Sequence, residues 1–92
     1  DQDPLGKCAR VIPQTKNTFV MVKDMANGNP AVGLCNKGNQ PATMTVSWQE
    51  AGMAGARKTV RDLWREKDLG AFQNSFTATV PALGVVLVNI SE

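Results

Sequence analysis

The stretch VRDLWREKDLGAFQNSFTATVPALGVVLVNI, from Val60 to Ile90, constrains the fold more than any other part of the chain. Phe76, Ala78 and Val80 alternate with Ser75, Thr77 and Thr79, the period of two that puts one side of a β-strand against a core and the other in water. Pro81 and Gly84 supply a turn, and Val85 to Ile90 is a second, almost continuously apolar strand. Two strands joined this tightly need further strands to complete a core.

Those strands are supplied upstream. Arg10–Ile12 is a short strand stopped by Pro13. Thr18–Asp24 places Val20 and Val22 on one face and Phe19 and Met21 on the other. Ala26–Pro30 concentrates turn formers around Asn27-Gly28, a strong hairpin signal. Ala31–Asn36 reads as buried on both faces. After a Lys37-Gly38-Asn39 turn, Pro41–Trp48 alternates Met44, Val46 and Trp48 with Thr43, Thr45 and Ser47. Gln49–Gly55 suits one helical turn, limited by Gly52. Lys58–Trp64 is the fifth strand, and Arg65–Gly70 reads as a loop. Short strands at close spacing, without long helical patterns, predict an all-β fold, an antiparallel Greek-key β-sandwich of about seven or eight strands.

Composition narrows the function classes. The 92 residues suffice for one domain, and 42% hydrophobic with 20% charged residues is globular. Ten basic residues are interleaved with eight acidic ones for a net charge of +2, so no basic stripe for nucleic acid forms. No apolar run reaches the length of a membrane span. The start, DQDPLGK, is not of the basic-then-apolar leader type and reads as the middle of a longer polypeptide.

Histidine and tyrosine are absent, which removes the commonest general base and the commonest zinc ligand. The serines have no histidine to activate them, two cysteines do not close a zinc site, and no glycine-rich phosphate loop occurs. No catalytic residue, metal site or cofactor is expected. A glycosidase needs two carboxylates roughly 5 to 9.5 Å apart across the scissile bond. The acids here sit on turns, on a charged loop and at the termini, except Asp62, whose parity groups it with Val60 and Trp64. Asp62 reads as a hydrogen-bonded structural aspartate rather than an acid catalyst, for which no partner is evident. Trp48 and Trp64 are the candidates for stacking on a sugar, although each ends a strand on its apolar side, where tryptophans pack into a core or against a neighbouring domain. Cys8 and Cys35 either pair or remain two thiols; closing that loop would stabilise the fold by about 3.5 kcal/mol in the chain-entropy treatment.

Several of these segments resemble one family. DQDPLGKCARV is similar to the "NQDPLG…RV" segment that joins the catalytic barrel of α-galactosidases and α-N-acetylgalactosaminidases to their C-terminal β-sandwich. Asp1 stands where asparagine is usual and Cys8 where glutamine is common. PAVGLCNKGNQPATMTVSW resembles the "VAVALFNRG…PATITVSW" hairpin of that sandwich, and the DLW, DLG and FTATVPALG segments follow in the family's order. The resemblance implies that residues 1–8 are the tail of the barrel and linker and that residues 9–92 are the C-terminal sandwich. It further implies a catalytic (β/α)₈ barrel as partner, with α-galactosides met through it, and a secreted, extracellular or periplasmic location. The family's two catalytic aspartates lie in the barrel and match no position here. At Cys8 and Cys35 other residues are more usual, which favours two separate thiols. A free-standing carbohydrate-binding module and an immunoglobulin-like adhesion module are the alternative readings.

Overall fold

The computed structural model describes residues 9–25 and 28–92. These residues form eight strands and no helix. β1 (Ala9–Pro13), β2 (Thr18–Lys23), β3 (Ala31–Asn36), β5 (Arg57–Asp62), β6 (Lys67–Gln73) and β8 (Gly84–Ser91) make one sheet, in the order β1-β2-β3-β8-β5-β6. β4 (Ala42–Ser47) and β7 (Ser75–Val80) pair as a second, two-stranded sheet. All pairings are antiparallel. The chain crosses between the sheets after β3, β4, β6 and β7, and β8 returns to lie between β3 and β5. These are the crossing connections of the expected Greek-key sandwich.

The alternation read from the sequence sets the core. Val20 and Val22 from β2, Val32 and Leu34 from β3, and Val88 and Ile90 from β8 face Met44, Val46, Phe76 and Val80 of the small sheet, and all are buried. Trp48, at the end of β4, is 1% exposed, and its indole Nε1 donates to the Ala56 carbonyl at 2.8 Å. The ring therefore fills the core without leaving its N–H unpaired. Phe72 and Phe76 meet edge to face, with ring centroids 5.1 Å apart.

Polar side chains fix the crossings. The buried Asn36 at the end of β3 donates from Nδ2 to the carbonyls of Gln40 and Val80, at 2.8 and 3.2 Å, and accepts from the Gly38 amide at 2.8 Å. One side chain so ties the β3–β4 turn to the end of β7. At the end of β4, Ser47 and Glu50 form a reciprocal capping box: the Ser47 amide donates to Glu50 Oε1 at 2.9 Å, and the Glu50 amide to Ser47 Oγ at 3.0 Å. The single turn that follows has the i→i+4 bond from the Ala51 amide to the Ser47 carbonyl. It closes with bonds from Gly52 to Gln49 and from Met53 to Trp48. Gly52 adopts φ 80, as the residue that ends such a turn must. One helical turn is present, as expected between Gln49 and Gly55, and no helix grows from it.

Two expectations need correction. Arg65–Gly70 is not a loop: Lys67–Gln73 is strand β6, paired with β5. A register shift after Val60 pairs Gly70 with Val60 but Asp68 with Arg61, leaving Leu69 as an extra residue. That bulge lets Leu69 and Phe72, three apart, both pack on the core, which destroys the period of two by which a strand is recognised. Nor does the fifth strand run to Trp64. It ends at Asp62, and Trp64 lies in the β5–β6 turn, 68% exposed.

Candidate interaction surface

Among the described residues, Asp24, Glu50, Asp62, Asp68 and Glu92 are occupied by structure, while Glu66 is exposed on the β5–β6 turn. Asp62 Oδ1 accepts the Arg65 amide at 2.9 Å and so shapes the β5–β6 turn. Glu50 closes the capping box, Asp68 pairs with Arg61 at 2.9 Å, and Asp24 pairs with Arg10 at 3.3 Å. Glu92 caps Lys58, whose ammonium is carried into the interior on a side chain only 2% exposed; Nζ lies 2.7 Å from Glu92 Oε1. A cavity of about 410 Å³ lies between the β1–β2 edge and the turn after β4, and among the described residues Asp24, held by Arg10, is the one carboxylate on its wall. Among the described residues no three His, Cys, Asp or Glu side chains cluster as metal ligands would.

The outward face of the six-stranded sheet has a different character. Register places Pro13, Phe19, Cys35 and Val85 side by side across β1, β2, β3 and β8. Two residues along, Val11, Met21, Gly33 and Leu87 form a second apolar row. Only the next row turns polar, with Lys23, Ala31, Asn89 and Arg61. The β5–β6 turn brings Trp64 over the middle of this face. The Leu63 amide bonds the Leu87 carbonyl at 2.9 Å, and Trp64 joins Met21, Gly33, Cys35, Val85 and Leu87 around a depression of about 230 Å³. Gly33 makes that depression possible. A Cβ there would only touch Cys35 Sγ at 3.7 Å and Leu87 Cδ1 at 3.8 Å, so the backbone tolerates a side chain and the space stands open without one.

Among the described residues, three of the four large exposed apolar side chains border this face: Val11 at 57%, Trp64 at 68% and Leu83 at 77%. Leu83 sits in the Pro81–Gly84 turn at φ 55, a left-handed conformation unusual for a leucine. Gly84 closes that turn because a Cβ would lie 2.8 Å from Pro81 Cγ. At the same end Lys37 Nζ stands 5.7 Å over the Phe19 ring.

Of the two tryptophans singled out by sequence, the structure buries one and presents the other. Trp48 is a core residue and is not available to a sugar. Trp64 is accessible but lies in an apolar field, without converging hydrogen-bonding groups. Cys35 is buried in the outward row, and burial pushes its thiol above the ordinary value. Cys8, the cysteine it would pair with in a disulfide, and the assignment of residues 1–8 to a linker lie outside the described residues. The apolar face itself was not read as a site from the sequence. Its signal was present in Phe19 and Met21 opposite Val20 and Val22, and in a β3 buried on both sides.

Fold and faces together define a sandwich module with one finished outer side and one apolar outer side. Residues 15–90 match the family described as "Alpha galactosidase C-terminal beta sandwich domain", and the chain belongs to that family. It is 34% identical over 87 residues to alpha-galactosidase 3 of Arabidopsis thaliana, covering 89% of this chain and 20% of the relative. It is 32% identical over 81 residues to an alpha-galactosidase of Oryza sativa, covering 87% of this chain and 19% of the relative. Alpha-galactosidase I from Mortierella vinacea superposes with a TM-score of 0.80 at 32% identity, over 89% of this chain and 22% of the solved one. The chain thus spans about a fifth to a quarter of the length of the curated relatives it matches.

Proposed function

We propose that this domain is the non-catalytic C-terminal accessory domain of a retaining α-galactosidase-type glycoside hydrolase. It packs against the catalytic (β/α)₈ barrel of the same polypeptide and steadies it. The observation that carries this reading is that Asp24, Glu50, Asp62, Asp68 and Glu92 are held in turns, caps and ion pairs, which leaves only the exposed Glu66 among the described carboxylates, in a chain related to about one fifth of an α-galactosidase. A glycoside hydrolase of the common retaining or inverting kind needs two carboxyl groups facing each other across a cleft, one of them free to exchange a proton. Hydrolysis of an α-galactoside, a secreted or periplasmic location, and residues 1–8 as the linker to the barrel belong to the same reading.

An assay with an aryl α-galactoside tests it. The 92-residue chain is expected to give no turnover above buffer, and the longer polypeptide that carries it to hydrolyse the substrate. Turnover by the short chain would refute the proposal. The exposed indole of Trp64 favours one second reading, a carbohydrate-binding module; protection of that indole from acrylamide quenching by galactose would promote it. The apolar outward face weighs against an immunoglobulin-like adhesion module, which has no reason to leave one sheet uncovered.

A further inference from the structure

We infer that the outward face of the six-stranded sheet, centred on the Gly33 depression beneath Trp64, is the surface on which the catalytic part of the same polypeptide seats. This rests on the accessory-domain reading above and adds which face is used and what fits it. The partner brings an apolar projection to the depression and acidic groups to its margin.

Three features select this occupant. The first is supply. Relatives of this domain carry four fifths or three quarters of their length elsewhere, and the matching family is of C-terminal domains, so in them that length precedes the sandwich. The preceding chain feeds into β1, the edge strand of this same sheet, whose Val11 and Pro13 belong to the apolar rows. A domain tethered there meets this face at high effective concentration. The second feature is charge. Lys16 and Lys37 flank the face near Phe19, whereas Arg61 of the polar row is already paired with Asp68. A second copy of the chain would set basic margin against basic margin. The third is chemistry. The depression offers sulfur and hydrocarbon, without the convergent hydrogen-bonding groups that would hold sugar hydroxyls. A leucine at φ 55 and an indole two-thirds exposed are tolerable in water but are more readily explained as anchors for a packed surface.

Hydroxyl-radical footprinting of the 92-residue chain and of the longer, α-galactoside-hydrolysing polypeptide tests this. In the short chain Trp64 should oxidise readily. In the long one it should react about tenfold more slowly, as a desolvated interface centre does. Met25, 40% exposed and outside the apolar rows, serves as the reference expected to be equally reactive in both. Trp48 should stay protected in both, reporting that the sandwich is folded. Equal Trp64 reactivity in an active long polypeptide would overturn the inference and leave the accessory reading intact. A long polypeptide without hydrolysis would remove that reading, and the occupant with it. Protection in the short chain that grows with its own concentration would reassign the face to a second copy, and protection by galactose to a sugar; either overturns the inference. If the short chain shows an oxidised Trp48, the comparison moves to the long polypeptide. There Gly33→Leu should fill the depression, restore Trp64 reactivity and lower the temperature of thermal inactivation, while Thr43→Lys, at an exposed position on the opposite sheet, changes neither. A Gly33→Leu protein with both properties unchanged would refute the assignment.

Discussion

On β4 and β7 the side chains that point away from the core are Thr43, Thr45 and Ser47, paired in register with Thr79, Thr77 and Ser75. On β2, β3 and β8 they are Phe19 and Met21, Cys35 and Gly33, Val85 and Leu87. Both faces arise from the same alternation, and both back onto one core. The small sheet ends in hydroxyls, with Thr45 and Thr77 joined at 2.8 Å. Along β2, β3 and β8 the large sheet ends in carbon and sulfur. An antiparallel sheet that meets water on one side shows a clean alternation, whereas strands apolar on both sides belong to a sheet covered on both. The difference lies in the outward residues, so an outward face can be judged finished or unfinished from its own composition.

The tryptophans give the sharpest way to break that comparison. Trp48→Ala should destabilise the isolated chain by about 3–5 kcal/mol, the cost of emptying a core site of an aromatic ring. Trp64→Ala should change stability by no more than about 0.5 kcal/mol, since its ring is mostly in water. Urea denaturation of the two variants measures both. A large loss from Trp64→Ala would mean that the outward face is already satisfied within this chain. Next in size is Asn36→Ala, which leaves the Gly38 amide and the Val80 carbonyl without their side-chain partner where the chain passes from one sheet to the other. It should cost about 1–3 kcal/mol in the same assay. A neutral result would show that the crossing is held by the turns alone.

The finished face was the more legible of the two in the sequence. Alternating Thr and Ser against Met, Val and Phe gives strand, parity and burial directly, and β4 and β7 are where the reading put them. The unfinished face could not be assembled that way. Phe19 and Met21 were visible as the second side of β2, but only register shows that they line up with Cys35, Gly33 and Leu87. Trp64 and Asp62 were grouped by parity, which fails once a turn begins at Leu63. β6 was hidden by Lys67 and Asp68 at its start and by the bulge at Leu69. The Ser47–Glu50 capping box was readable from its spacing, Ser-x-x-Glu, but sits at a strand end rather than before a long apolar helix. The family landmarks were legible because they are local strings, and they carried the assignment without any of this geometry.

A smaller effect tests the hydroxyl face itself. Thr45→Val removes the bond to Thr77 on a surface that water reaches, so the loss should be about 0.5 kcal/mol. Thr77→Val in the same background should then cost less than it does alone, a coupling that a double-mutant cycle by urea denaturation reads. Independent effects would mean that the hydroxyls bond water instead and that this face owes nothing to its ladder.

The smallest effect probes the apolar face through Cys35. Burial raises its thiol above the ordinary 9.0 because the thiolate is poorly solvated there. On unfolding the thiol returns to its ordinary value, so between the two values the unfolded chain has lost a proton that the folded chain keeps. Stability must then fall as pH rises past about 9, by up to about 1.4 kcal/mol per pH unit, and level off above the folded value. Lysines titrate in the same range, so the quantity to measure is the difference between the parent chain and Cys35→Ala in urea midpoints from pH 8 to 11. A parent that loses more stability than the variant across that window is expected if the thiol is free. Identical slopes would mean that Cys35 carries no titrating proton, as in a disulfide with Cys8, or that water already solvates it. Thiol labelling of the denatured, unreduced chain separates those two outcomes: two reactive thiols leave solvation as the cause, and with it a wetter face than the apolar rows of β2, β3 and β8 describe.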